Sequence, residues 1–126
     1  MKKLAGLLAA AAFMALPAQA AEITGDDFKA EDVASIVKLC SSAEGVAMSQ
    51  YATGFCYGWI AGIDQFYDAL VADPRFGISP SVCVDDEVSR EEARKIFLEW
   101  ATSNPSSASM PALSGLIEAM KAKFPC

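Results

Sequence analysis

The chain has 126 residues, no histidine, and sixteen acidic against ten basic residues, which gives a net charge of −6 at neutral pH. This length suits a single domain, and the negative charge argues against nucleic-acid or anionic-lipid binding and favours a basic partner. Without histidine the chain lacks the usual general base of neutral-pH enzymes, and it has no nucleotide-binding or nucleophile motif. We therefore predict no catalytic residue and no cofactor.

The first twenty residues have the organisation of a cleavable signal peptide. Lys2 and Lys3 precede an apolar run from Leu4 to Leu16, and Ala18-Gln19-Ala20 is an A-x-A cleavage site. The apolar run is shorter than the roughly 20 residues that a membrane-spanning helix needs. We expect cleavage after Ala20, a periplasmic domain of residues 21–126, and no membrane insertion afterwards. The mature chain then carries eight basic and sixteen acidic residues, a net charge of −8.

The four cysteines agree with an oxidising compartment. Cys40, Cys56, Cys83 and Cys126 all lie in the predicted mature part, and an even number of cysteines in a small exported chain is typical of a disulfide framework. Zinc is the competing use of four cysteines, but the chain has neither a C-x-x-C pair nor a histidine. We therefore predict two disulfides and no metal site.

Hydrophobic periodicity predicts a compact all-α domain that has four helices, or four helices and one additional short helix. In the first predicted helix, Val33, Ile36, Val37 and Cys40 recur at the spacing of one helix face. A break at 41–46 contains two serines and a glycine. The longest helix is predicted over 48–72.

Three glycines stand four residues apart in this long helix, at Gly54, Gly58 and Gly62. Each interior glycine costs about 1 kcal/mol relative to alanine, so a stripe of three needs a reason. We predict that the stripe lets another helix of the same domain approach closely. A contact between two copies of the chain, giving a homodimer, is the alternative. Asp64 and Asp68, one turn apart in the same helix, are interpreted as a solvated face.

Two further helices follow. Asp73-Pro74 ends the long helix, and Ser89 to Glu92 form a capping box that opens the third helix. This helix should stop before Asn104-Pro105. The fourth helix should stop before Pro125, and it has the cleanest amphipathic stripe of the chain: Leu113, Leu116, Ile117, Met120 and Phe124.

This helix order suggests the disulfide pairing. Helices three and four are joined by a short loop and should be antiparallel neighbours, which brings Cys126 near Cys83. Cys40 and Cys56 remain, on the two helices that flank the first loop. Of the three connectivities that four cysteines allow, this one fits best.

Binding residues are expected on the loops, because loops on a rigid scaffold commonly carry recognition. In the loop 73–86 and the residue after it, Asp85, Asp86 and Glu87 form an acidic cluster suited to a basic cleft. The alternative role of this cluster is to place negative charge near the start of the third helix. The loop 103–110 offers Ser106, Ser107 and the apolar Met110, which could instead pack against the fourth helix.

The run Cys56-Tyr57-Gly58-Trp59-Ile60-Ala61-Gly62 resembles the C-x-G-Y-I-x-G signature of the Rap1a/Tai immunity-protein family. The order of the signal peptide and the cysteines matches this family, as does the terminal Phe124-Pro125-Cys126, so the resemblance covers essentially the whole mature chain. The sequence departs from the family pattern at Trp59, at Asp85 and at Asn104, where the family has tyrosine, proline and histidine respectively.

The resemblance implies a small helical periplasmic protein that binds a peptidoglycan amidase delivered by type VI secretion and blocks its active site. Two other functions stay open at this point. One is an acid-stress chaperone, with which the acidic composition is compatible although two disulfides would oppose its unfolding. The other is a periplasmic binding or structural domain unconnected with toxins.

Overall fold

The computed structural model describes residues 22–126, so the predicted signal peptide lies outside the described residues. Within them the chain forms four helices, α1 (Val33–Cys40), α2 (Ser49–Ala72), α3 (Arg90–Ser103) and α4 (Ala112–Lys123). Two short 3-10 turns add Asp27–Lys29 and Pro105–Ser107. The all-α, four-helix prediction is confirmed. None of the helices between residues 22 and 126 combines the length and apolarity that crossing a bilayer requires.

Side-chain caps fix two of the helix starts. The Asp32 carboxylate accepts a hydrogen bond from the Ser35 N–H of α1 at 2.8 Å. The Ser89 hydroxyl accepts one from the Glu92 N–H of α3 at 3.1 Å, as the capping box predicts. Each cap satisfies a backbone donor that has no partner inside its own helix.

The short helix α1 lies at the centre of the domain, because it packs against each of α2, α3 and α4. Its Ile36 and Leu39 are completely buried. The largest side chains that are completely buried come from three helices and are Phe97, Ile36, Leu39, Val33 and Cys56. The first helix is therefore the element that the other three cover.

The predicted disulfide pairing is confirmed. Cys40, the last residue of α1, is bonded to Cys56 in α2, and Cys83 is bonded to the terminal Cys126. The second bond joins the loop before α3 to the end of α4, where the Cys83 N–H also donates to the Phe124 carbonyl at 2.9 Å. As the short loop between them predicts, α3 and α4 pack against each other.

The prediction that the glycine stripe of α2 packs against a helix of the same domain is wrong. Gly54, Gly58 and Gly62 are exposed, and a Cβ atom added at any of them would meet nothing within 4 Å. The reason is the orientation of α2, which buries Ala52, Cys56 and Ile60. Each glycine of the stripe follows one of these buried residues by two positions, which is a rotation of about 200° around the helix axis. The stripe therefore faces away from the core.

The glycine that permits a close approach is Gly115 in α4. A Cβ atom there would overlap Cγ2 of the buried Val33 and would contact Trp100 and Phe97 at 3.5 and 3.6 Å. The buried face of α4 is correspondingly shifted from the predicted amphipathic stripe: Leu116 is buried as predicted, but Leu113 is 44% exposed. Three of the four buried positions of α4 are small residues, which lets α1 approach the axis of α4 closely. The buried positions are Ala112, Gly115, Leu116 and Ala119.

Candidate functional site

The two loops expected to carry recognition lie at opposite ends of α3. Asp85, Asp86 and Glu87 precede α3, beside the Cys83–Cys126 disulfide, whereas residues 104–111 connect the other end of α3 to α4. The structure therefore does not bring the two groups of predicted binding residues together. Each loop has to be considered as a separate surface.

The loop 104–111 is largely used by the fold. The Val33 and Ala34 N–H groups at the start of α1 donate to the Met110 and Ala108 carbonyls at 2.9 and 3.0 Å. Ser107 is buried, and its hydroxyl donates to the Asn104 carbonyl at 2.7 Å. Met110 is half-buried against the core. Of the three residues predicted there, only Ser106 is left with an exposed side chain.

The loop between α2 and α3, in contrast, exposes its predicted binding residues to solvent. Asp85, Asp86 and Glu87 are all exposed, as are the large apolar side chains of Phe76, Ile78 and Val84. Single exposed apolar residues are common on protein surfaces, but several on one loop indicate an interaction surface. This loop is the stronger candidate for partner binding.

The same loop forms one wall of a groove of about 1050 Å³ between α2, α4 and the start of α3. Its apolar floor includes Ile60, Leu116 and Met120. We call it the acidic groove, after the five carboxylates among its lining residues: Asp64, Asp68, Asp85, Asp86 and Glu87. Asp64 and Asp68, interpreted from the sequence as a solvated face, thus line the same groove as the acidic loop.

The carboxylates of the acidic groove have no cationic partners within residues 22–126. None of the ion pairs there involves any of the five. Arg90 is the one cationic residue of the lining, and its guanidinium lies over the Tyr57 ring, 5.9 Å from the ring centre. Partial burial raises the pKa of Asp64, and the negative charge of Asp68 raises it further.

Three sets of bonds hold the loop wall of the groove in place. The Tyr67 hydroxyl of α2 accepts hydrogen bonds from the Ser81 and Val82 N–H groups at 2.8 and 3.2 Å. Val82 forms an isolated antiparallel bridge with Pro125, and the next residue is the disulfide-bonded Cys83. The groove is thus part of the folded scaffold and does not have to form when a ligand arrives.

A second polar cluster lies beside the Cys40–Cys56 disulfide and joins three helices. Glu91 accepts two hydrogen bonds from the Arg94 guanidinium, both at 2.9 Å, and a third from the Tyr57 hydroxyl. The guanidinium also donates to the Cys40 carbonyl at the end of α1, at 2.6 Å. The Arg94 hydrogen bonds and that of Tyr57 lower the pKa of Glu91 from 4.5 to about 2.

This cluster makes stability depend on pH in a defined window. Because the Glu91 pKa is lower in the folded chain, its stabilising effect is complete above about pH 4.5 and is lost as the pH falls towards 2. We expect Glu91→Gln to lower the midpoint of urea unfolding at pH 7. As the pH is lowered from 4.5 to 2, the midpoint of this variant should fall less than that of the wild type. The matched control is Glu92→Gln, which removes a neighbouring charge without touching Arg94. Parallel pH profiles for the wild type and Glu91→Gln would contradict this prediction.

The arrangement of the groove suits protein recognition better than metal binding. Between residues 22 and 126, no three Cys, Asp or Glu side chains converge as a metal site, whereas the groove lining combines five carboxylates with apolar side chains. Sequence reasoning missed the contribution of Asp64, Asp68 and Tyr67 to this site. Their only sequence signal is the i, i+4 spacing of the two aspartates, which a solvated helix face shares.

Comparison with known proteins identifies the family of the chain. The family model described as Rap1a immunity proteins matches residues 24–126, in agreement with the resemblance noted in the sequence. Neither a curated protein nor a solved structure matches the chain.

Proposed function

This chain belongs to the Rap1a immunity protein family, and on that premise we propose that it binds a peptidoglycan amidase delivered by type VI secretion and blocks it. The observation that carries the proposal is the family match, which spans residues 24–126 and thus all but the first two described residues. Such a protein acts in the periplasm and protects the producing cell from the toxic enzyme. It needs a binding surface and no catalytic residue of its own.

The physical properties of the domain support this proposal. Two disulfides and a small buried core give a scaffold whose surface is defined before binding, which lowers the entropic cost of association. The loop between α2 and α3 combines exposed apolar residues with three adjacent acidic ones. A net charge of −8 on the mature chain would accelerate encounter with a basic enzyme.

Binding and inhibition assays test the proposal directly. The oxidised mature chain would be mixed with purified type VI peptidoglycan amidases of the producing bacterium, and both complex formation and peptidoglycan hydrolysis would be measured. We expect a stable complex and loss of hydrolysis at equimolar inhibitor. No detectable complex at micromolar concentrations, with both proteins folded and oxidised, would overturn the immunity function.

Periplasmic capture separates the proposed function from its two alternatives. Mass spectrometry of proteins bound to the tagged chain at neutral pH should identify one amidase. A broad set of unfolded proteins, captured only in acid, would favour the chaperone. A single partner unrelated to cell-wall hydrolysis would favour a binding domain unconnected with toxins.

We also expect copies of the chain to associate with each other through the face of α2 that carries the glycine stripe. The stripe itself has no charged residue, and Tyr51 and Phe66 beside it are 73% and 60% exposed. Like-charge repulsion between two acidic copies would be smallest across such a face. Sedimentation velocity should show a dimer that Gly58→Lys dissociates, and a monomer up to the highest soluble concentration would contradict the expectation.

A further inference from the structure

The acidic groove combines two features that a single class of ligand would satisfy. Its lining is apolar beyond the floor residues Ile60, Leu116 and Met120: Val82, Val88 and Ile117 are half-buried, and Val84 is 42% exposed. Covering such surface is favourable because it removes apolar area from water. A purely ionic ligand such as a metal ion would leave this floor uncovered.

The rim of the groove carries charge that the described part of the chain, residues 22–126, does not neutralise. There, Asp64 and Asp68 on α2 and the three acidic residues of the loop form no ion pair, and Arg90 is held over Tyr57. Partial burial raises the pKa of Asp64, and repulsion from the negative charge of Asp68 raises it further. A bound cation would relieve this repulsion, so the groove complements positive charge.

We propose that the acidic groove receives an extended or helical segment of the protein partner in which lysine or arginine side chains alternate with apolar ones. The basic side chains lie on the carboxylates of the rim, and the apolar ones cover the floor between α2 and α4. This inference rests on the proposed function, since it assigns the surface through which the immunity protein holds its effector.

The loop wall of the acidic groove is held in place before a ligand binds, which favours tight binding. The Tyr67 hydroxyl and the Cys83–Cys126 disulfide fix the loop wall in the unbound protein. A ligand therefore does not have to order the loop, and less of the interaction energy is spent on conformational entropy.

Defined peptides provide the first test. A capped Leu-Lys hexapeptide would be titrated into ¹⁵N-labelled oxidised protein, with a Leu-Gln hexapeptide and trilysine as comparison ligands. We expect saturable shifts of the backbone amides of residues 64–68 and 82–88 with the Leu-Lys peptide alone. Equal binding of trilysine would mean non-specific charge attraction and would overturn the proposal, as would shifts outside the groove.

Matched variants provide the second test. The triple substitution Asp85→Asn, Asp86→Asn and Glu87→Gln should weaken peptide binding about tenfold, as expected for the loss of three exposed ion pairs. The control variant Glu22→Gln, Glu44→Gln and Glu99→Gln changes the net charge equally at exposed sites outside the groove. Equal affinity of the two variants would overturn the assignment of the groove.

Repeating the comparison with the amidase separates the two proposals. Strong amidase binding that neither triple variant weakens would refute the groove and leave the immunity function intact. Peptide binding in the groove without any amidase binding to the wild type would refute the immunity function and leave the groove as a cationic-segment site.

Discussion

Replacing both Cys83 and Cys126 by serine is expected to lower the free energy of unfolding by about 4 kcal/mol, the value that the loop-entropy model gives for a separation of 43 residues. Both cysteines are exposed, so the serines leave no buried hydroxyl and the loss comes mainly from the released chain. This is a large fraction of the stability of a domain of this size. Urea denaturation of the oxidised proteins measures it.

The same variant should also weaken partner binding, because the loop that carries Asp85, Asp86 and Glu87 is then held to the scaffold only through Tyr67 and backbone hydrogen bonds. Thiol titration provides the control, since an intact Cys40–Cys56 bond leaves no free thiol in the variant. A urea midpoint equal to that of the wild type would show that the Cys83–Cys126 disulfide does not stabilise the folded chain.

Alanine substitutions at two helical glycines are expected to change stability in opposite directions. At Gly115 the added methyl group overlaps the buried Val33, whose β-branched side chain has little rotamer freedom in a helix. Overpacking of this kind costs roughly 1–3 kcal/mol, which exceeds the helix propensity gained from alanine. We therefore expect Gly115→Ala to lower the melting temperature.

Gly58→Ala is the matched control, because the same substitution lies mid-helix in open space. Within a single copy of the chain the gain in helix propensity acts alone, so at protein concentrations too low for self-association we expect stabilisation by up to about 1 kcal/mol. Thermal unfolding of the two variants and the wild type under identical conditions compares them. A higher melting temperature for Gly115→Ala would contradict the proposed close contact between α1 and α4.

Local signals in the sequence were sufficient to predict the four helices and where they begin and end. The periodicity from Val33 to Cys40, the cap at Ser89 and the prolines after α3 and α4 each act within a few residues, and the helices begin and end close to where these signals place them. The disulfides followed as well, because short connections between helices leave few ways to bring four cysteines together. Composition determined the acidic surface.

The tertiary structure decided which faces are buried and what the groove contains. Three glycines in one stripe suggested a close contact, but the rotation of α2 about its axis is set by the packing of Ala52, Cys56 and Ile60 and leaves the stripe in solvent. Gly115, a single glycine without a pattern, makes the contact instead. Asp64 and Asp68 became part of a site with Asp85 only because Tyr67 and a disulfide hold a distant loop beside α2. Sequence spacing reports neighbours along one helix, whereas burial and proximity across elements depend on how all four helices pack.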